Sequence, residues 1–128
     1  MATVLLIDDG KDIRTLMREA LSGAGYTVIE ADDGLAGLSL ATTGNPDIIV
    51  LDLVLPGLSG WDVMRKMRAN TALADVPIVA ISAESHESMD GDDAYLLGCN
   101  AFIKKPVKIG ALITEIGALL KKHPRALH

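Results

Sequence analysis

Five short apolar runs divide the sequence, and each has the length typical of a β-strand. Most are rich in β-branched residues, which suit a pleated sheet. The first, third and fourth runs are continuously apolar, as expected of parallel strands covered on both faces. The second run carries Thr27 and Glu30, so we predict an edge strand there. The five runs are Val4–Ile7, Tyr26–Ile29, Ile48–Leu51, Ile78–Ile81 and Ala101–Ile103.

Segments with apolar residues at helical spacing lie between and after these runs. Ser59–Asp62 resembles a capping box and predicts the start of the third helix. The fourth helix is the weakest prediction, because its central Asp and Gly residues are poor helix formers. The helical segments are Ile13–Ala24, Leu35–Leu40, the residues after Ser59, Glu87–Leu97 and Ile109–Leu120.

The strict alternation of strands and helices predicts the fold. It indicates an α/β protein of the (βα)5 type, with a doubly wound five-stranded parallel sheet joined by right-handed crossovers. With the second strand at an edge, the expected strand order is 2-1-3-4-5, as in flavodoxin-like proteins. We expect one domain over residues 1–122 and a short C-terminal tail over residues 123–128.

Composition narrows the classes of function. The chain has 128 residues, of which 49% are apolar, which suits a single packed domain. Its formal charge of -5 and its four aromatic residues argue against a nucleic-acid surface. The single cysteine, Cys99, excludes an internal disulfide framework. No apolar run is long enough for a membrane span and no basic leader is visible, so we expect no membrane association and a cytoplasmic location.

Polar side chains follow the strands where a site is expected. In open α/β sheets the site lies beyond the carboxyl ends of the strands, where the strand order reverses. Any one of these residues alone has an ordinary structural role, such as helix capping. Together, however, clustered carboxylates repel one another unless a cation intervenes. Three oxygen ligands suit Mg²⁺, and a lysine suits a phosphoryl oxygen. The residues are Asp8, Asp9, Asp52, Ser82 and one of Lys104 and Lys105, since strand alternation lets only one lysine point inward.

These residues and their surroundings resemble the receiver (CheY-like) domain of two-component response regulators, over residues 3 to about 121. The resemblance lies in several fragments that occur in order along the predicted fold. They are the acidic pair Asp8–Asp9, Asp52, Leu55–Gly57 with Gly60, Ser82, Gly98–Phe102, and Lys105 before Pro106.

The resemblance implies a phosphoacceptor site. Asp52 would accept a phosphoryl group from a phosphohistidine. Mg²⁺ would be bound by Asp9, Asp52 and the main-chain carbonyl of Val54, with Asp8 acting mostly through water. Mg²⁺ and Lys105 would neutralise the charge on the phosphoryl oxygens.

The resemblance also implies a switch and its partners. Ser82 would move to bond a phosphoryl oxygen, and Phe102 would act as the switch aromatic, relying on packing because it lacks a phenol. Output would pass through the face formed by the fourth helix, the fifth strand and the last helix. The phosphodonor would be a sensor histidine kinase or a histidine phosphotransfer protein, and the downstream target another protein rather than a nucleic acid.

We therefore expect a stand-alone response regulator that catalyses its own phosphorylation and dephosphorylation and is otherwise not an enzyme. A receiver fragment of a longer regulator is an alternative. A Mg²⁺-dependent phosphatase with an aspartyl-phosphate intermediate is another, although Val54 stands where such chemistry usually needs a second carboxylate. A nucleotide or flavin site is disfavoured, because Asp8–Lys11 is not a glycine-rich phosphate loop. The basic cluster formed by Arg65, Lys66 and Arg68 is expected to face solvent.

Overall fold

The computed structural model describes residues 2–83, 94, 95 and 97–123. Residues 94, 95 and 97 are helical, and the rest of the predicted fourth helix lies outside the described residues, as does the tail after residue 123. The elements are β1 (Thr3–Ile7), α1 (Lys11–Gly23), β2 (Thr27–Ala31), α2 (Gly34–Thr43), β3 (Ile48–Asp52), α3 (Gly60–Ala69), β4 (Ile78–Ser82), β5 (Ala101–Lys104) and α4 (Ile109–Lys122).

The five strands form one parallel sheet in the order β2-β1-β3-β4-β5, which confirms the predicted topology. In the middle of β1, Leu5 lies opposite Ile29 of β2 and Ile49 of β3. Among the described strands β2 pairs with β1 alone, so the prediction of an edge strand is also confirmed. The strand order reverses between β1 and β3, and this reversal places the site.

Two apolar clusters cover the two faces of the sheet. Because successive side chains of a strand point to opposite faces, a strand buried on both sides must be apolar throughout. Leu5 and Ile7 belong to a cluster with Met64 of α3, on the face that α2 and α3 cover. Val4 and Leu6 belong to the second cluster, on the face that α1 and α4 cover, with Met17, Leu112 and Ile116. The sheet is therefore doubly wound, as predicted.

Helix α3 begins as the capping box predicts. The Ser59 hydroxyl accepts a hydrogen bond from the amide of Asp62 at 3.2 Å. Helix α2 begins in the same way at Asp33, whose carboxylate accepts from the amide of Ala36 at 2.8 Å. Across the described part of the chain, no helix is both long and apolar enough to cross a bilayer.

The basic residues of α3 do not all face solvent, so this prediction is wrong for Arg68. Arg65 is exposed and pairs with Asp62, but Arg68 is half-buried and its guanidinium lies against the amino ends of β4 and β5. Burial lowers the pKa of Arg68. Its guanidinium donates to Asn100 Oδ1 and to the main-chain carbonyls of Gly98, Val76, Leu73 and Ala74, at 2.7–3.3 Å.

Cys99 lies beside this guanidinium in the first apolar cluster, as a small buried residue. Burial raises the pKa of its thiol to about 11. Gly98, directly before it, has a φ of 119°, and a side chain at this position would meet Arg68 within 3 Å. The Arg68 side chain therefore packs against the turn before β5 only because residue 98 is a glycine.

Candidate functional site

The predicted site residues converge at one edge of the sheet. Asp8 follows β1, Asp52 ends β3, and Ser82 ends β4, so parallel pairing brings them to the same edge. Asp8, Asp9 and Asp52 each offer a carboxylate oxygen, and these oxygens lie within 4.8 Å of one another. Within the described residues, this cluster is the arrangement of acidic, histidine and cysteine side chains that fits a metal ion.

Asp52 is held firmly at the bottom of this site. Its side chain is 1% exposed. One carboxylate oxygen, Oδ1, accepts from the main-chain amide of Val54 at 2.9 Å, and Oδ2 accepts from the Lys105 ammonium at 2.7 Å. Two donors from separate segments thus fix the plane of the carboxylate and leave its remaining lone pairs for other groups.

Lys105 is the lysine that reaches into the site, and Lys104 is exposed. The main-chain amide of Lys105 donates to the carbonyl of Ser82 at 2.8 Å, which fixes the loop after β5 against the end of β4. Burial lowers the pKa of Lys105, but the hydrogen bond and the negative charge of Asp52 outweigh burial, so the net shift is upward. The ammonium is therefore charged and placed to neutralise an oxygen anion.

Asp8 carries the clearest sign that a cation fits this site. It is 2% exposed, and its Oδ1 accepts from the amide of Gly10 at 2.8 Å. Its other oxygen, Oδ2, is buried and has no hydrogen-bond partner among the described residues. Burial raises the pKa of Asp8, the Gly10 amide opposes this, and Asp52 adds to the increase. A buried oxygen without a partner is costly, and a divalent cation would supply the missing interaction.

Asp9 completes the acidic cluster from the solvent side, since it is exposed. Neither Asp8 nor Asp9 caps α1, whose N-terminal cap is Gly10 without a side-chain hydrogen bond. The capping role that either aspartate alone suggested is therefore absent at this helix. Asp8 instead uses Oδ1 to hold the loop through the Gly10 amide, and its Oδ2 is buried without a hydrogen-bond partner among the described residues.

The two predicted switch residues lie at different depths. Ser82 is 4% exposed, and its hydroxyl donates to the carbonyl of Ala83 at 3.3 Å rather than to the carboxylates. Phe102 is half-buried against the apolar cluster on the α2 and α3 side. The side chain of Val54 is 49% exposed beside Asp52. Glu84, two residues after Ser82, lies outside the described residues.

Gly60 brings the start of α3 against the strand that ends in Asp52. Its amide donates to the carbonyl of Leu53 at 3.1 Å. A Cβ atom at this position would collide with the main-chain carbonyl of Asp52 and with the Cα of Leu53. Only glycine permits this approach, which explains why this residue type occurs here.

Sequence reasoning missed one residue at the edge of the site. The helical pattern of Ile13–Ala24 assigns Arg14 to the polar side, but the Arg14 side chain is only 17% exposed. Its guanidinium donates to the main-chain carbonyl of Asp8 at 2.8 Å and to Glu30 at 3.0 Å. The half-buried Glu30 of β2 was the available signal, because such a carboxylate needs a cationic partner.

Residues 4–117 match the response regulator receiver domain family. The chain belongs to this family. The match includes the acidic cluster, Lys105 and the β-strands that position them. Receiver domains interact with histidine kinases and with downstream targets, and the site at the carboxyl ends of the strands is consistent with that role.

Curated relatives of this receiver domain differ in length. It is 38% identical over 123 residues to the KDP operon transcriptional regulatory protein KdpE of Escherichia coli. It is 33% identical over 127 residues to RpaA of Synechocystis, described as a DNA-binding dual master transcriptional regulator. The alignments cover 96% and 98% of this chain but about half of each relative. DivK of Brucella ovis, a polar-differentiation response regulator, is 31% identical over 120 residues. That alignment covers 95% of DivK and 92% of this chain.

Solved structures agree with the fold. The receiver domain of the Francisella response regulator 1452 superimposes with a TM-score of 0.88 at 27% identity, covering 95% of this chain and 98% of that one. The chemotaxis protein CheY4 of Vibrio cholerae gives a TM-score of 0.85 at 26% identity, covering 94% and 99%. The expected flavodoxin-like and CheY-like architecture is thus confirmed.

Proposed function

We propose that this receiver domain is a Mg²⁺-dependent phosphoacceptor in a histidine-to-aspartate phosphorelay and that Asp52 carries the phosphoryl group. The observation that supports this most is the environment of Asp52: a buried carboxylate fixed by the Val54 amide and the Lys105 ammonium, beside a second buried carboxylate with an unpartnered oxygen. A buried carboxylate with a purely structural role would not need a second buried carboxylate beside it.

In the proposed reaction, a carboxylate oxygen of Asp52 attacks the phosphorus of a phosphohistidine. The new O–P bond forms as the P–N bond breaks, and the imidazole nitrogen leaves with the bonding electron pair and takes up a proton. The Lys105 ammonium, already 2.7 Å from Oδ2, neutralises charge on the phosphoryl oxygens. Asp9, Asp52 and the Val54 carbonyl would hold Mg²⁺, with Asp8 acting mostly through water, and the ion would supply further positive charge to those oxygens.

The signal would then pass from Ser82 to the output face. In the resting arrangement the Ser82 hydroxyl is bonded to the adjacent Ala83 carbonyl at 3.3 Å, a long bond that a phosphoryl oxygen can replace. Movement of Ser82 toward the phosphoryl group would draw the following loop inward and let Phe102 repack. The proposed output face comprises β5, the last helix α4, and the helix predicted over Glu87–Leu97, which precedes β5.

We propose a cytoplasmic location and two kinds of protein partner: a sensor histidine kinase or histidine phosphotransfer protein as donor, and a downstream protein as target, without nucleic acid or membrane. The likeness to DivK along 95% of its length supports a stand-alone regulator over residues 1–122 with a short tail. The half-length likeness to KdpE and RpaA supports the alternative, a receiver within a longer regulator. The mass of the endogenous protein on an immunoblot decides between these.

Labelling with a small phosphodonor tests the proposal directly. We expect radiolabelled acetyl phosphate to label the wild type in the presence of Mg²⁺, and Asp52→Asn to lower labelling by about a hundredfold, because the nucleophile is lost. Asp75→Asn, an exposed carboxylate at the opposite end of the sheet, is the matched control and should label normally. Undiminished label in Asp52→Asn would exclude Asp52 as the acceptor. Label that survives chelation of Mg²⁺ would contradict the metal requirement alone.

A further inference from the structure

Arg14 connects three segments beside the acidic cluster. Its Nε donates to Glu30 Oε1 at 3.0 Å, so α1 is tied to the edge strand β2. Its Nη1 donates to the main-chain carbonyl of Asp8 at 2.8 Å, so the same guanidinium is tied to the loop that follows β1. A planar guanidinium can hold both acceptors in a fixed geometry, which a single ammonium cannot.

The loop that carries Asp8 and Asp9 is held mainly through its main chain. The Asp8 amide donates to the carbonyl of Ala31 at 3.1 Å, and the Arg14 amide donates to the carbonyl of Gly10 at 2.9 Å. The Arg14 side chain completes this set by binding the Asp8 carbonyl. The direction of the Asp8 and Asp9 carboxylates therefore depends on a peptide group whose oxygen Arg14 fixes.

We propose that Arg14, oriented by Glu30, is a positioning residue for the divalent cation and sets its affinity without touching it. The inference rests on the proposed function, because the cation is the Mg²⁺ of the phosphoacceptor site. By fixing the Asp8 peptide, Arg14 restricts the directions that the Asp8 carboxylate, with its unpartnered Oδ2, can take within the acidic cluster. Partners that orient metal ligands in this way commonly change metal affinity by tenfold or more.

Charge alone predicts the opposite result, which makes the inference testable. Arg14 is a cation close to a site for another cation, so its removal should strengthen Mg²⁺ binding by Coulomb's law. A positioning role predicts weaker binding. The chain also offers a matched control, because Arg18 binds the other oxygen of Glu30 at 3.1 Å from one helical turn farther along α1.

Replacement of Arg14 should leave the fold intact. Arg14, Arg18 and Glu30 line an open cleft of about 370 Å³ between α1 and the edge strand. Water can enter such a polar cleft and satisfy Glu30 and the Asp8 carbonyl when the guanidinium is removed. The loss of the arginine therefore changes the orientation of the loop without leaving a sealed cavity.

Calorimetric titration with MgCl₂ tests the inference on the wild type, Arg14→Met, Arg14→Lys and Arg18→Met. We expect Arg14→Met to raise the Kd for Mg²⁺ by about tenfold and Arg18→Met to change it by less than about twofold. Arg14→Lys keeps the charge but lacks the rigid planar fork that fixes both acceptors, so it should raise the Kd by about threefold. Thermal unfolding without Mg²⁺ verifies that each variant is folded. If Arg14→Met does not fold, Arg14→Lys provides the test in its place.

Equal or tighter Mg²⁺ binding by the Arg14 variants would overturn the inference, and so would equal weakening by Arg14→Met and Arg18→Met. Wild type that binds no Mg²⁺ would overturn it together with the metal requirement of the proposed function. Labelling of Asp52 is measured separately, so the assignment of the phosphoacceptor would survive any of these results.

Discussion

The two ends of the sheet both hold buried charge, but they satisfy it in opposite ways. At the amino ends of β4 and β5, the Arg68 guanidinium donates to main-chain carbonyls from two separate turns and to Asn100. At the carboxyl ends, Asp8 and Asp52 lie together, and Asp8 Oδ2 has no partner among the described residues. The amino end is complete by itself, whereas the carboxyl end is arranged for a group from outside the chain.

This difference shows how a stable fold can contain an unfavourable site. Buried polar groups in native proteins are nearly always hydrogen-bonded, so an exception calls for an explanation. At the amino end, the Arg68 guanidinium links the turns that precede β4 and β5 by hydrogen bonds. At the carboxyl end, burial and like charges disfavour the ionised form of Asp8, and a bound cation would reverse that effect. Three measurements test this difference between the two ends of the sheet.

The largest effect is expected at the amino end. Arg68→Met should lower the free energy of unfolding by about 3 kcal/mol, because several carbonyls lose their donor at once. Urea denaturation measures this. Arg65→Met, which removes an exposed arginine from the same helix, should change stability by less than about 0.5 kcal/mol. Similar effects of the two variants would show that the Arg68 contacts contribute nothing special to stability.

A smaller effect is expected from Mg²⁺ at the carboxyl end. At ten times its Kd, Mg²⁺ should stabilise the wild type by about 1.4 kcal/mol through mass action. Arg68→Met should gain the same increment, since distant sites usually act additively. Urea denaturation with and without MgCl₂ measures both increments. If the increment fell in Arg68→Met, the two ends would be coupled and the contrast between them would be wrong.

The smallest effect is expected from Asp8→Asn in the absence of Mg²⁺. The pKa of Asp8 is raised in the folded state, chiefly by burial, so ionisation of Asp8 destabilises the fold. At pH 8 the variant should therefore have a Tm about 2 °C above that of wild type. The gain should disappear as the pH falls below the ordinary pKa of aspartate, where Asp8 is protonated in both folded and unfolded states. Differential scanning calorimetry over pH measures it.

The same variant should show the opposite effect on stability when Mg²⁺ is present. Asp8→Asn should lose most of the stabilisation that the wild type gains from the ion. A variant that was less stable than wild type at pH 8 without Mg²⁺, or that kept the full gain with it, would show that Asp8 is a structural residue.

Much of the fold could be predicted because the burial pattern dictates it. Strands covered on both faces must be continuously apolar, and this property identified β1, β3 and β4. The polar residues Thr27 and Glu30 identified the edge strand, and the Ser59 hydroxyl identified the start of α3. Parallel strands then bring their carboxyl ends together, so the proximity of Asp8 and Asp52 followed from topology alone.

The arginine contacts could not be predicted in the same way. A helical pattern separates apolar from polar positions, and it assigns every arginine to the polar side. Arg14 and Arg68 are instead largely or partly buried and bind main-chain carbonyls that the tertiary fold brings near. Those carbonyls occur at every residue and leave no mark in the sequence. For the same reason, the sequence did not indicate which oxygen of Asp8 would be left without a partner.

The contact between Gly60 and the end of β3 has a consequence for engineering this molecule. With no side chain between them, the backbone at Asp52 and Leu53 and the first turn of α3 are in direct contact. Changes meant to tune the proposed phosphotransfer are therefore best made at the half-exposed Val54, whose side chain can be replaced without displacing that backbone. A larger residue at Gly60 would displace the Asp52 backbone, so an effect on the proposed chemistry could not be separated from an effect on the fold.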